Sequence, residues 1–322
     1  MARTKDGKEL FGKLVTVLGG SGFFGQHVAQ ELLARGARLR IASRNPERAF
    51  RLKPLAPLGN IQFARCDVTK PAGLVAALAG SDLVVNLVGA FGGDLDAVQG
   101  KGAGRIAAAA KAAGASAFVH VSAIGADAGS EVDYARTKGE GEDAVRAAFP
   151  SATILRPSIV FGQDDNFVMM FGRLIAGLPV LPVFGPAAKL QPVFVDDAAE
   201  AVVAALLDPA SHGGRTFELA GPEVLTMLEF NKRIAAAQHR RRGFIELPDG
   251  VSGLIASLTG WLPGAPITSD QWALLRQGNV ASGTLPGLKE LGIAPRPLGL
   301  FLDRWMVQLR NHGRFGDKLS QS

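Results

Sequence analysis

An α/β fold, a Rossmann-type doubly wound parallel sheet with a smaller C-terminal α/β region, is what this sequence predicts, on three observations. Short β-rich runs alternate with alanine- and leucine-rich helical patterns through the first 160 residues. A glycine-rich loop joins the first run to the first helical pattern. Beyond residue 160 prolines break the alternation, and no linker or repeat marks a clean boundary. The expected organisation is a dinucleotide-binding core over 1–160 and a mixed substrate or docking region over 161–322 that is interleaved with that core.

The strands are expected at "KLVTVLG" (13–19), "ARLRIAS" (37–43), "IQFARCD" (61–67), "DLVVNLV" (82–88), "AFVHVSA" (117–123) and "ATILRPS" (152–158). Helical patterns fall between them at 24–35, 71–79, 95–113 and 134–148. This spacing implies right-handed βαβ units. Further on, Pro179, Pro182, Pro186 and Pro192 punctuate short strands, and 196–208 reads as one more helix. Helices are expected near 226–238, 251–262, 269–277 and 299–310.

With 322 residues, 47 % hydrophobic and 20 % charged, the chain is composed like a folded globular protein rather than a disordered one. Its net charge of +6 favours acidic partners such as phosphates, anionic lipid or acidic proteins. No basic stripe is interleaved with aromatics, so no nucleic-acid partner is expected, and "HRRR" (239–242) reads as a solvated helix end. The only cysteine, Cys66, fits a reducing compartment and an inert core thiol. No apolar leader is visible at the N-terminus. The apolar segment 251–262 is too short to span a bilayer. No metal site is expected.

In "VLGGSGFFGQHVAQELLARG", Gly19, Gly22 and Gly25 give G-x-x-G-x-x-G, and Gly20, Gly22 and Gly25 also fit G-x-G-x-x-G. Here backbone N–H groups must approach a pyrophosphate with no Cβ in the way, and the helix N-terminus that follows stabilises the negative charge. The candidate nucleotide contacts are Gly19, Gly20, Ser21, Gly22, Phe23, Phe24 and Gly25. An NAD site places an acid near the end of the second strand to bind the ribose 2′-OH. This chain has "ASRNPER" there, with Ser43 and Arg44 where the acid would be. A guanidinium suits a 2′-phosphate, so NADPH is favoured over NAD.

"YARTK" (134–138) holds the only tyrosine in a chain with 18 phenylalanines. Tyr134 and Lys138 are four apart, on one face of a helix. A neighbouring ammonium is expected to lower the phenol's pKa, so that the pair can donate a proton to a carbonyl as hydride leaves a nicotinamide.

On these motifs residues 13–220 resemble the extended and atypical short-chain dehydrogenase/reductases. The resemblance implies a catalytic set of Tyr134, Lys138 and Ser122. It places Ala123 where such enzymes carry the hydroxyl that orients the carbonyl, so transition-state stabilisation is expected to be blunted. It also implies that Asp67 and Val68 meet the adenine and that Leu87, Val88 and Gly89 let the cofactor pass. Over "YARTKGEGEDAVRAAFPSATILRPSIVFGQDDNF" (134–167), "LQPVFVDDAAEAV" (190–202) and "LPGLKELGI" (285–293) the chain is similar to the dinucleotide-binding accessory subunit of respiratory complex I and its bacterial relatives. That likeness implies tightly held NADPH, little turnover, complex I subunits as partners, and a cytoplasmic, peripheral place on the inner face of the respiratory membrane. Pro157 and Ile159 would then line the nicotinamide side. The alternative is an active NADP-dependent oxidoreductase or epimerase. The segments 251–262, with Trp261, and 300–315, with Phe301, Arg304, Trp305, Arg310, Arg314 and Phe315, are expected to form a docking surface.

Overall fold

The computed structural model describes residues 8–259 and 269–311. Six strands follow one another with helices between them: β1 (Leu14–Leu18), α1 (Phe23–Ala34), β2 (Arg38–Ser43), β3 (Ile61–Arg65), α2 (Pro71–Leu78), β4 (Leu83–Asn86), α3 (Lys101–Ala112), β5 (Ala117–Val121), α4 (Asp133–Ala148) and β6 (Thr153–Pro157). Next come β7 (Val160–Phe161), α5 (Phe167–Gly177), β8 (Val180–Phe184), β9 (Lys189–Leu190) and β10 (Val193–Phe194), then α6 (Val195–Leu207), α7 (Pro209–His212) and β11 (Thr216–Leu219). The remainder holds β12 (Leu225–Thr226), α8 (Met227–Ala237), β13 (Gly243–Leu247), α9 (Asp249–Thr259), α10 (Ser269–Gln277) and α11 (Gly299–Met306).

Seven strands form one sheet in the order β11-β6-β5-β4-β1-β2-β3, and every neighbouring pair is parallel. The order reverses between β1 and β4. In open α/β sheets, ligands bind outside the carboxyl ends of the strands at such a reversal. The expected doubly wound sheet is therefore present, with β11 as a seventh strand that the sequence pattern did not reveal.

Contacts divide the described residues into two units. The first is drawn from Met1–Pro157, Val195–Leu219 and Ser282–Ala294, the second from Ser158–Phe194, Ala220–Ala281 and Pro295–Ser322. In the first, β1 is buried at all five positions, as a central parallel strand requires. Phe118, Ile106, Val145 and Phe149 help to fill the core beside the sheet, and Cys66 belongs to it. Burial pushes the Cys66 thiol pKa up, as an inert core thiol requires. Just past the end of α1, Gly36, with φ of 80°, carries the chain out of the helix at no steric cost.

In the second unit α8 starts with a reciprocal cap: Glu229 N–H donates to Thr226 Oγ1, and Thr226 N–H donates to Glu229 Oε2. Phe301 and Trp305, expected on a docking surface, pack inward instead. Their rings stack at 5.0 Å, Phe301 stacks on Phe194 at 4.1 Å, and Trp305 is buried. Arg310 is also used internally, donating through Nε to the Ala237 carbonyl. Aromatic rings of this size contribute more by burial in a small unit than on its surface. Arg304, Leu254 and Leu300 remain exposed. Trp261, Arg314 and Phe315 lie outside the described residues. Among the described residues no helix is long and apolar enough to cross a membrane.

Candidate functional site

The glycine loop occupies the turn from β1 into α1, at the carboxyl end of the sheet beside the β1–β4 reversal. Its glycines have different physical reasons. Gly19 has φ 78°, and a Cβ there would lie 3.0 Å from the Leu87 carbonyl carbon, so the loop rests on the segment that follows β4. At Gly25 a Cβ would lie 2.5 Å from the Gly20 Cα, so this glycine lets α1 pack on the loop. Gly22 is different: it has φ −77°, and a Cβ would meet only the Gly19 oxygen, at 3.5 Å. Packing therefore does not require glycine at 22. Helix α1 begins at Gly22 without a side-chain cap, which leaves its first N–H groups available to an anion. Gln26 Nε2 donates to the Ser21 carbonyl at 3.1 Å and steadies the loop. Phe23 lies edge-on to His27 within the same helix, and Phe24 is half-buried in the first turn.

The ends of β2 and β3 bring Ser43, Arg44, Asp67 and Val68 together. Cys66 N–H donates to the Ser43 carbonyl at 2.9 Å. The Ser43 hydroxyl oxygen is buried without a hydrogen-bond partner. Arg44 is exposed. The Thr69 N–H and hydroxyl both donate to Asp67 Oδ1 and hold that carboxyl below its usual range, with smaller help from the Lys70 and Arg44 charges. Val68 is buried beside it.

After β4, Leu87 N–H donates to the Leu18 carbonyl, and Val88 N–H donates to Asn86 Oδ1 at 3.0 Å. That second bond turns Asn86 Nδ2 toward His120 Nδ1, also at 3.0 Å, and makes this ring nitrogen the acceptor. His120 Nε2 is then a buried donor without a partner. Burial, and after it the Lys138 and Arg146 charges, holds the His120 pKa down at about 3, so the imidazole is neutral.

Helix α4 carries Tyr134 and Lys138. Lys138 is 4 % exposed, its ammonium donates to the Val121 carbonyl at 3.3 Å, and it lies against Gly89, where a Cβ would come within 3.2 Å of Nζ. Burial lowers its pKa to about 8. The Tyr134 phenol is not lowered, contrary to expectation; burial pushes it up to about 12. Desolvation disfavours the phenolate here. Such a phenol remains protonated at neutral pH but is a reluctant proton donor. Ser122, just past β5, is buried and its hydroxyl has no partner, while Ala123 beside it offers none.

Sequence reasoning missed Gln99. It sits in a π-helical turn, Asp96–Gly100, ahead of α3 and is 1 % exposed. Its Oε1 accepts from Ala90 N–H at 3.2 Å, and its Nε2 donates to Thr137 Oγ1 at 2.8 Å. One buried carboxamide thus joins the segment after β4 to the first turns of α4. A single π-turn inside a helical pattern leaves no periodic trace, although such turns concentrate at functional sites. Asn86, His120 and Gln26 were also missed, as polar residues inside otherwise apolar patterns. Pro157 ends β6, whereas Ile159 belongs to the second unit, where its N–H donates to Asn279 Oδ1 at 2.7 Å.

The bare Gly22 backbone at a helix start, with buried unpartnered hydroxyls at Ser43 and Ser122, fits a nicotinamide dinucleotide lying across the carboxyl ends of the strands. Residues 19–169 match the NAD(P)H-binding family, and residues 128–252 match the RmlD substrate binding domain. Fold and site together define an NAD(P)-binding protein of the extended short-chain dehydrogenase/reductase class. Within that class the chain belongs to the family of NADH dehydrogenase (ubiquinone) 1 alpha subcomplex subunit 9. It is 33 % identical to the mitochondrial protein of that name from Mus musculus over 297 residues, covering 90 % of this chain and 78 % of the relative. It is also 33 % identical to a ceramide reductase of Caulobacter vibrioides over 198 residues, 59 % of this chain and 60 % of that one. The structure of a Citrobacter triphenylmethane reductase complexed with NADP(H) shares the fold, with a TM-score of 0.73 at 20 % identity, covering 90 % of this chain and 99 % of that one.

Proposed function

We propose that this protein is an NADP(H)-binding accessory subunit of respiratory complex I that turns its cofactor over slowly or not at all. The observation that carries this is the likeness to the complex I subunit over 90 % of the chain, well beyond the nucleotide-binding residues 19–169. In this reading Gly19, Gly20, Ser21 and Gly22 receive the pyrophosphate at the start of α1, with Phe23, Phe24 and Gly25 shaping that first turn. Ser43 and Arg44 bind the 2′-phosphate. Asp67 and Val68 meet the adenine, while Leu87, Val88, Gly89 and Lys138 flank the ribose and nicotinamide, with Pro157 on the nicotinamide side. Residues 1–160 form the dinucleotide-binding core, and residues 161–322, interleaved with it, supply a mixed substrate or docking region; the protein sits peripherally on the inner face of the respiratory membrane.

When bound, the nicotinamide supplies a hydride. What the chain supplies is binding and orientation, with a phenol at Tyr134 that gives up its proton reluctantly and no hydroxyl at Ala123. Both features weigh against turnover. The second reading, an active oxidoreductase, is favoured by the presence of Tyr134, Lys138 and Ser122 together and by the likeness to a ceramide reductase.

The purified full chain is expected to keep NADPH through gel filtration, not to oxidise it when ketones, nucleotide sugars or steroids are added, and to recover complex I subunits from gently solubilised membranes. Robust oxidation abolished by Tyr134→Phe would replace the accessory subunit with the enzyme. Failure to recover those subunits would remove the proposed partner.

A further inference from the structure

Phe91 stands out among the exposed apolar side chains. It is 81 % exposed, yet its ring lies flat on that of Tyr134, with centroids 4.8 Å apart and planes within 8°. Its backbone is held on the N-terminal side. Ala90 N–H donates to the buried Gln99 carboxamide, and two residues beyond, the Gly93 carbonyl accepts from Leu95 N–H at 3.0 Å. Gly93 has φ 80°, a conformation that suits glycine and sharpens the turn directly after the ring. Gln99 also binds Thr137 on the helix that carries Tyr134. The segment bearing Phe91 and the helix bearing Tyr134 are thus fixed to one side chain, so the stack is set by the scaffold. The ring itself, largely in solvent, can still swing about its own side-chain torsions.

We propose that Phe91 is a cover on Tyr134: it occupies one face of the phenol ring and restricts access to it. The proposal rests on Tyr134 lying at the nicotinamide end of the proposed nucleotide site. A stacked aromatic pair is worth enough to favour the covered arrangement by roughly two- to twelvefold. The cover therefore restricts access to the phenol without sealing it.

Because Tyr134 is the only tyrosine, it reports on itself. The experiment is nitration of the folded full chain by tetranitromethane, scaled to the same chain in denaturant, together with the absorbance titration of the phenol. Phe91→Ala should speed nitration several-fold and lower the titration midpoint, while Phe91→Trp, which keeps a flat cover, should behave as the parent does. Circular dichroism and the thermal midpoint identify any variant that has not folded, and Phe91→Leu, which keeps the bulk but not the flat ring, then provides the comparison. Unchanged nitration in a folded Phe91→Ala or Phe91→Leu chain would overturn the cover. NADPH affinity measured on the same samples separates the two ideas. Absence of NADPH binding by the parent chain, with faster nitration in Phe91→Ala, defeats only the function proposed above, and NADPH binding by the parent with unchanged nitration in the variant defeats only the cover.

Discussion

Lys138 and Tyr134 show how burial reverses the chemistry that their spacing suggests. Four residues apart, they were expected to share a face, with the ammonium helping the phenol to ionise. Instead each carries its own desolvation, the lysine shifted down to about 8 and the tyrosine up to about 12. Spacing is written in the sequence; the depth at which a side chain comes to rest is not. The buried lysine has a consequence for stability. In the unfolded chain it holds its proton to about pH 10.5 and in the folded protein only to about pH 8. Between those values unfolding takes up a proton, so stability rises with pH, and below pH 8 the whole cost of the buried charge is present. Lys138→Met should remove that rise. Denaturation midpoints of both chains from pH 7 to 10.5 should converge as pH increases, with a relative change on the order of 3 kcal/mol. Parallel curves would show that Lys138 is not desolvated. His120 acts in the same direction at lower pH, its folded value of about 3 against an ordinary 6.5 making stability fall as pH drops through that window.

Among the elements, the glycine loop separates folding from binding. Gly25→Ala puts a methyl group against the backbone of Gly20, and should cost roughly 1–3 kcal/mol of stability as an overpacked contact. Gly22→Ser meets little protein and supplies a better helix cap than glycine, so the thermal midpoint should hold. NADPH affinity should nevertheless fall roughly tenfold or more, about 1.4 kcal/mol, because the side chain stands where the pyrophosphate approaches. A folded Gly22→Ser chain that binds NADPH like the parent would rule out this loop as the phosphate cradle. The strands from β1 to β6 and helices α1, α2 and α4 were legible because each pairs a clear period with a turn signal. Helix α5 was not, since "FVMMFGRLIAG" is apolar around most of its circumference and shows no polar face. Strand β11, "TFEL", is too short to declare itself. Gln99 was invisible because its role depends on a π-turn and on two partners distant in sequence.

At the scale of the whole molecule, the nucleotide site and the partner surface stand on different ground. The core that positions the site was readable from strand and helix alternation, and the family follows from likeness along nearly the whole chain. Of the docking patch expected near the C-terminus, Phe301 and Trp305 pack instead in the second unit with Phe161 and Phe194, because composition alone does not distinguish an interface centre from a small core. The claim on which the proposed function depends most is that the chain binds NADP(H) through Ser43 and Arg44. Calorimetric titration of the nucleotide-free full chain with NADPH and with NADH, beside Arg44→Ala, tests it directly. NADPH should bind tighter than NADH by roughly ten- to a hundredfold, the worth of charge-assisted bonds to the 2′-phosphate, and Arg44→Ala should remove most of that difference. Equal affinities for the two nucleotides, or tighter binding of NADH, would contradict it.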